Sequence, residues 1–368
     1  MTATRKFDRT FLIATLLLLS GGFLVFTSAS LGLLARETGA SFASVAFNQA
    51  FFGIALGMAA LIGTSQLNYR VWRKYAFYIY LASLVLTALV FVPGIGFSSG
   101  GAARWLHIGP LSLQPSEFLK LGFVLYFAAW LSSVRTKVRD PRFGIIPFII
   151  IAGIAGGILL AEPDTGSFMV IASAGLAMLI AAGVRWRDVA VIIMVALIAI
   201  AVLASARPYV KSRITTFLDP SRDPRGAGYH IQQSLIAVGS GGLSGRGFGQ
   251  SIQKFNYLPE PIGDSIFAVA AEEFGFLGSV LLIGLFLFLG LRGLKIATRA
   301  PDRFGGLVTL GIVILIVSES YINIGSMIGI LPLTGLPMLF VSHGGTAMLF
   351  ALAEIGIVLN ISRYTTPS

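Results

Sequence analysis

Residues 264–291 read DSIFAVAAEEFGFLGSVLLIGLFLFLGL, and after Glu273 no ionisable side chain occurs until Arg292. A helix over this stretch is about 42 Å long at 1.5 Å per residue, and a hydrocarbon core of about 30 Å takes roughly 20 apolar residues. The run therefore predicts a membrane-spanning helix whose first turns carry three carboxylates, Asp264, Glu272 and Glu273. Working outward, nine further apolar runs bounded by charges and turn formers predict helices at roughly 11–34, 42–66, 75–92, 117–133, 144–160, 165–183, 188–206, 305–329 and 338–361. Composition agrees. Of 368 residues 55% are hydrophobic and 12% charged, against about 25% charged in a soluble domain. The expected fold class is all-α: a polytopic integral membrane protein of about ten transmembrane helices forming one domain over 1–368.

Several alternatives fail at this level. The first run follows Arg5, Lys6 and Arg9 and ends near Ser28-Ala29-Ser30, but its some 24 residues exceed the 7 to 15 of a signal-peptide core, and nine spans follow. An outer-membrane barrel requires alternating segments of about ten residues, which are missing. There is no cysteine, so disulfide and thiolate chemistry do not enter. No internal repeat stands out, which weakens a secondary-transporter reading.

Charge sets the orientation. The chain has 27 Lys and Arg against 16 Asp and Glu, a net +11. With the N-terminus inside, 17 of the cations fall in cytoplasmic segments: Arg5, Lys6, Arg9, Arg70, Arg73, Lys74, Arg135, Lys137, Arg139, Arg142, Arg185, Arg187, Arg292, Lys295, Arg299, Arg303 and Arg363. Short outer segments hold only Arg36 and Arg104, so the positive-inside rule places both termini in the cytoplasm. Seven cations (Arg207, Lys211, Arg213, Arg222, Arg225, Arg246, Lys254) lie in one extracytoplasmic loop, 207–263, before the eighth helix. Connections this long are usually functional or disordered. This one carries Phe217, Tyr229, Ile231, Phe248, Phe255 and Leu258, enough apolar surface to pack on the bundle or dip into the interface. A second outer segment, about 93–116, is rich in Gly and Pro and contains Arg104, Trp105 and His107; Trp105 alone reads as an interfacial anchor.

Ionisable groups inside spans point to function because they are costly there. Glu117 and Lys120 are three apart and share a helix face, either as a site or as a local ion pair with Lys120 snorkelling outward. Asp164, in Glu162-Pro-Asp-Thr-Gly166, and Asp264, at or near a helix start, could each be explained by capping. Glu272 and Glu273 lie about 12 Å deeper along the eighth helix. Glu319 and Glu354 read as polar groups paired across helices. His107, His230 and His343 lack metal-ligand spacing. The run Gly239-Ser-Gly-Gly-Leu-Ser-Gly-Arg-Gly-Phe-Gly249 follows no strand and ends in no Gly-Lys-Ser/Thr, so it is a sharply bent or re-entrant loop rather than a nucleotide site. Its free amides, with Arg246 and Lys254 beside them, could still bind phosphate oxygens.

These residues carry a resemblance. The runs Arg213-Ile-Thr-Thr-Phe-Leu-Asp-Pro220, Gly228-Tyr-His-Ile-Gln-Gln-Ser-Leu235, the glycine-rich run to Gly247, and Leu258-Pro-Glu260 through Asp264 to Ala271-Glu-Glu-Phe-Gly275 resemble the SEDS family of FtsW, RodA and SpoVE proteins. So do Gln114-Pro-Ser-Glu-Phe-Leu-Lys120, Glu162-Pro-Asp164, Asn323, Leu331-Pro-Leu-Thr-Gly-Leu-Pro337 and Ser342-His-Gly-Gly345. The chain departs from the commoner pattern where Ile262-Gly263 replaces His-Thr before the aspartate, and again in Leu339-Phe340 and Ser342-His343-Gly344-Gly345-Thr346-Ala347.

The resemblance implies a peptidoglycan glycosyltransferase that polymerises lipid II at the outer face of the bacterial cytoplasmic membrane. Its partners would be a class B penicillin-binding transpeptidase and other division or elongation membrane proteins, with no nucleic acid. It maps the catalytic aspartate onto Asp264, the fourth-helix lysine onto Lys120 with Glu117 beside it, and the Pro-Asp turn onto Asp164. The substrate-binding set expected on these grounds is Lys120, Glu117, Arg104, Asp164, Arg213, Arg246, Lys254, Glu260 and Ser342. No tightly bound cofactor is expected, and at most a divalent cation, Mg or Mn, accompanying the pyrophosphate. The chemistry asks for similar parts: one carboxylate at the membrane surface as general base and cations for the departing pyrophosphate. Two rival readings are a lipid II flippase and a noncatalytic scaffold for the transpeptidase.

Overall fold

The computed structural model describes residues 7–35, 42–99, 102–108, 111–206, 208–223 and 226–365. Arg5, Lys6, Arg36, Arg207 and Arg225, and the side chain of His107, lie outside these. Fourteen α-helices are described: α1 (Arg9–Ser30), α2 (Phe42–Asn48), α3 (Leu56–Gln66), α4 (Arg70–Ala88), α5 (Pro115–Val134), α6 (Ile145–Ala161), α7 (Thr165–Ala182), α8 (Trp186–Ala206), α9 (Pro208–Leu218), α10 (Ala227–Ser240), α11 (Gln253–Asn256), α12 (Ile266–Thr298), α13 (Arg303–Met327) and α14 (Gly345–Ser362). A π-helical turn, Gln49–Ala55, fuses α2 and α3 into one span.

Among the described residues nine helical segments are long and apolar enough to cross a membrane, and α6, with 17 residues, is the shorter tenth. All ten expected runs are thus helical. Burial separates an inner from an outer set: 78% of the α14 span and 67% of the α5 and α13 spans are buried, against 11% for α8. The inner helices approach closely. Thr64 Oγ1 donates to the Ala353 carbonyl (2.8 Å), where Gly356 brings α14 against Leu61 and Thr64 of α3.

The first and last described segments meet at one end of the bundle, as an even number of crossings requires. The Asp8 amide donates to Ser362 Oγ (2.9 Å), and Arg292 Nη2 lies 2.7 Å from Asp8 Oδ2. We call this the terminal end. The opposite, loop end carries residues 93–99, 102–108 and 111–114, the 162–164 turn, residues 208–223 and 226–265, and residues 328–344.

The outer segment near 93–116 carries a small three-stranded antiparallel meander, β1 (Gly96–Ser99), β2 (Ala102–Ile108) and β3 (Leu111–Leu113), and the fold is otherwise helical, as the all-α class expects. Three helix boundaries differ from expectation. The third span begins at Arg70 rather than 75, because basic residues suit a membrane-water boundary and do not end a helix. The tenth begins at Gly345 rather than 338. Pro332 and Pro337 and the left-handed Gly335 (φ 69°) break helical hydrogen bonding, and residues 331–344 instead fold as an extended clamp. Finally α12 runs on to Thr298 with a break at Gly275 (φ 67°, ψ −162°). The long loop is structured, as its apolar content suggested: α9, α10 and α11 all lie in it.

Candidate active site

Asp264 sits in the turn that feeds α12. The helix N-cap is Ser265, so the carboxylate of Asp264 is not spent on capping, contrary to that reading. Glu260, in a left-handed conformation (φ 43°), closes the turn by accepting from the amides of Gly263 (3.0 Å) and Ser265 (3.2 Å). Three further elements hold the turn by its backbone. Asn323 Nδ2 of α13 donates to the carbonyls of Asp264 (2.7 Å) and Leu336 (2.8 Å). Ser342 Oγ donates to the Gly263 carbonyl (2.7 Å) and accepts from the Met338 amide (2.8 Å), while the His343 amide donates to the Ile262 carbonyl (2.7 Å). From α10, His230 Nε2 meets Ser265 Oγ, which itself donates to the Pro259 carbonyl (2.7 Å). The hydroxyl has one proton, so His230 carries its hydrogen on Nε2. Burial pushes His230 down to about 4, so it stays neutral.

With the backbone so fixed, the Asp264 side chain remains available. Its Oδ1 is buried without a hydrogen-bond partner, and a side chain at Gly335 would come within 4.0 Å of Oδ2. Burial, then the charge of exposed Glu260, pushes the carboxyl up to about 7, against the opposing pull of Arg213 and nearby backbone amides. Arg213 lies in electrostatic range of it, and Arg104 in range of Arg213 in turn. Arg213 of α9 donates from Nη1 to Thr165 Oγ1 (2.7 Å), and Arg104 of β2 donates to the carbonyls of Glu162 (Nε, 3.2 Å) and Pro163. Burial and the Arg104 charge both pull Arg213 below the ordinary guanidinium value, which is the mark of two cations held together. Asp164 does cap α7, accepting from the Ser167 amide (3.1 Å) and hydroxyl (2.8 Å). Beside it Glu162 is pushed up to about 8 by burial and by the Asp164 charge, partly offset by Arg104.

Other expected site residues are placed differently. Lys120 does not snorkel outward: its ammonium is buried, 2.8 Å from Glu117 Oε2 and 2.5 Å from Glu319 Oε2, about one helical turn below Asn323. Glu319 is thus paired across helices as expected, and Glu354 of α14 lies in electrostatic range of the same trio. Lys254 is fully buried, with Nζ donating to Glu273 Oε1 (2.7 Å), Ser28 Oγ (2.9 Å) and the Gly249 carbonyl (2.9 Å), so it is not free for a phosphate. Arg246 Nε is 3.3 Å from Glu272 Oε1. The loop amides are likewise engaged: Ser251, Ile252 and Gln253 donate to the Glu272 and Glu273 carboxylates, and Arg246 and Gly247 to their carbonyls. The anion this segment binds is its own α12. Ser342 acts on the Gly263 carbonyl rather than facing outward.

Reading the residues did not single out Glu162 or His230 as site members, and only the motif pointed to Asn323. Asp264, Glu260, Arg213, Arg104 and Asp164 are brought together from four separate segments; Lys120 with Glu117, and Lys254 with Arg246, form two other clusters.

The family described as Cell cycle protein, comprising FtsW, RodA and SpoVE, matches residues 8–367. The chain belongs to this family. It is 38% identical to the Stage V sporulation protein E of Bacillus subtilis over 97% of each chain, and 37% identical to the probable peptidoglycan glycosyltransferase FtsW of Coxiella burnetii over 99% of this chain and 98% of that one. Its fold matches the Thermus thermophilus rod shape determining protein RodA (TM-score 0.72, 26% identity, 98% of each chain). It also matches a chain from a peptidoglycan synthase complex described as coordinating polymerization and crosslinking (TM-score 0.81, 27% identity, 99% and 98% covered). The FtsW, RodA and SpoVE similarity spans helix bundle, loop and clamp together, so the Asp264 corner lies inside the shared architecture.

Proposed function

We propose that this chain is a peptidoglycan glycosyltransferase that polymerises lipid II, with Asp264 as general base. The observation that carries the reading is a carboxyl with a near-neutral pKa and an unpartnered Oδ1, in electrostatic range of Arg213, which in turn neighbours Arg104 at the loop end. Asp264 takes the proton from the acceptor sugar's 4-hydroxyl as that oxygen bonds to the donor's anomeric carbon. The bond from that carbon to the pyrophosphate breaks, and the lipid pyrophosphate leaves with its electron pair. Arg213 and Arg104 stabilise the charge that develops on it. One displacement inverts an α-linked donor to a β-1,4 bond, so no second carboxylate is needed as nucleophile.

The same reading puts the active site on the extracytoplasmic face of the cytoplasmic membrane, since the described members of the expected inner cations lie toward the terminal end. A class B penicillin-binding transpeptidase is the proposed partner, because the resembling chain comes from a complex that couples polymerization to crosslinking. The test is lipid II polymerisation by the purified protein, with and without that transpeptidase. Wild type forms glycan polymer and Asp264→Asn does not, while both reconstitute equally. Movement of labelled lipid II across vesicles without polymer would favour a flippase instead.

A further inference from the structure

At the terminal end, a cavity of about 340 Å³ opens where α7 turns into α8. Arg139 and Arg185 line it together with Ile180, Val184, Val189 and Trp186. Several other cations of this end have partners. Arg292 pairs with Asp8, Arg70 lies beside Asp302, Arg303 donates to the Ala182 carbonyl, and Lys137 covers the Phe143 ring. Among the described residues the guanidiniums of Arg139 and Arg185 have no carboxylate, carbonyl or ring partner, yet both border one cavity. The nearest acidic groups in the chain do not line it: Asp188 is buried in the first turn of α8, and Asp140 accepts from the Arg142 amide.

The remaining lining is apolar, and it continues onto a helix the bundle barely covers. Only 11% of the α8 span is buried, and Val191, Met194 and Val195 stand exposed one turn and more above the cavity. Trp186, 75% exposed at the first position of α8, stands where indoles settle at a membrane surface. An occupant must therefore present an anionic group to two arginines and hydrocarbon to α8. A soluble phosphate satisfies the first condition only. We propose that this cavity is a binding site for the headgroup of an anionic phospholipid, whose acyl chains lie along α8 and hold the foot of that helix against the bundle. Basic pockets between helices at such a surface are suited to phosphodiester headgroups.

The test uses the full chain in detergent, titrated with phosphatidylglycerol or phosphatidylcholine and read by native mass spectrometry of the lipid-bound species. Wild type binds phosphatidylglycerol in preference to phosphatidylcholine. Arg139→Gln combined with Arg185→Gln weakens phosphatidylglycerol binding about thirtyfold, from about 1 kcal/mol per basic residue and 1.4 kcal/mol per factor of ten. Lys74→Gln combined with Lys295→Gln removes the same charge from the same end and leaves the binding within about threefold. Arg139→Lys with Arg185→Lys keeps most of it, which guards against misfolding of the glutamine variant. Equal weakening in both glutamine pairs, or no preference between the two lipids, overturns the proposal. Displacement of the lipid by millimolar glycerol phosphate would assign the cavity to a soluble phosphate and overturn it equally.

Discussion

In the glycine-rich segment, Arg246 and Lys254 are turned onto Glu272 and Glu273, and the loop amides finish on the same two carboxylates. Around Asp264 the backbone is held just as firmly, by Asn323, Ser342, His343 and Ser265, but the carboxylate keeps a buried oxygen with no partner, in electrostatic range of Arg213. Both regions combine glycine, basic residues and carboxylates at the loop end. One satisfies its charges internally and fixes a loop; the other holds the proposed base in place and leaves its carboxylate oxygen unpartnered. Composition is therefore a poor guide to which cluster is the site, and the distribution of hydrogen bonds is the better one.

That contrast can be broken most sharply at its two centres. Asp264→Asn should lower the rate of lipid II polymerisation by about 10² to 10⁴, the range of a lost general base, with thermal stability unchanged. Lys254→Met should do the reverse. It strands Glu273 in a dry interior, so stability falls by about 3 to 5 kcal/mol while the folded fraction keeps its turnover. Thermal unfolding paired with the polymerisation assay separates the two outcomes, and a Lys254→Met protein that is stable but inactive would end the distinction drawn here.

Arg213→Gln should cost turnover by about 10² with little change in stability, because it removes one cation from the leaving group. Arg246→Gln, half-exposed and paired, should cost far less in the same assay. A smaller effect lies in the pH profile. A base with a carboxyl pKa of about 7 acts only when ionised, so the rate should fall about tenfold per unit as pH drops below that value. Glu260→Gln removes a like charge that holds the proton on Asp264, so the acid limb should move to lower pH. An acid limb that stays in place in Glu260→Gln would deny the coupling between these carboxylates.

How much of this was legible beforehand follows from the range of each interaction. The spans, the even crossing number and the site's chain neighbourhood could be read because apolarity and charge act locally along a helix. The Glu117–Lys120 pair was legible for the same reason, being three residues apart on one helix. Its third member, Glu319, comes from a helix nearly 200 residues away and was read only as paired with something. The meander at 96–113 was missed because short strands rich in Gly and Pro resemble turns. Residues 338–344 read as helix because Met338, Leu339, Phe340 and Val341 are apolar; they are buried as a clamp rather than as a span.

By itself the sequence determined a bundle of apolar helices with one long structured loop, since hydrocarbon length and backbone hydrogen bonding leave a chain of this composition few alternatives. It also placed Asp264 where loop meets helix. Only the tertiary structure decided that Lys254 and Lys120 are already neutralised while Arg213 comes into range of Asp264 with Arg104 beside it. Those outcomes depend on which side chains meet across helices, and a buried charge takes whichever partner the packing brings within a few ångströms.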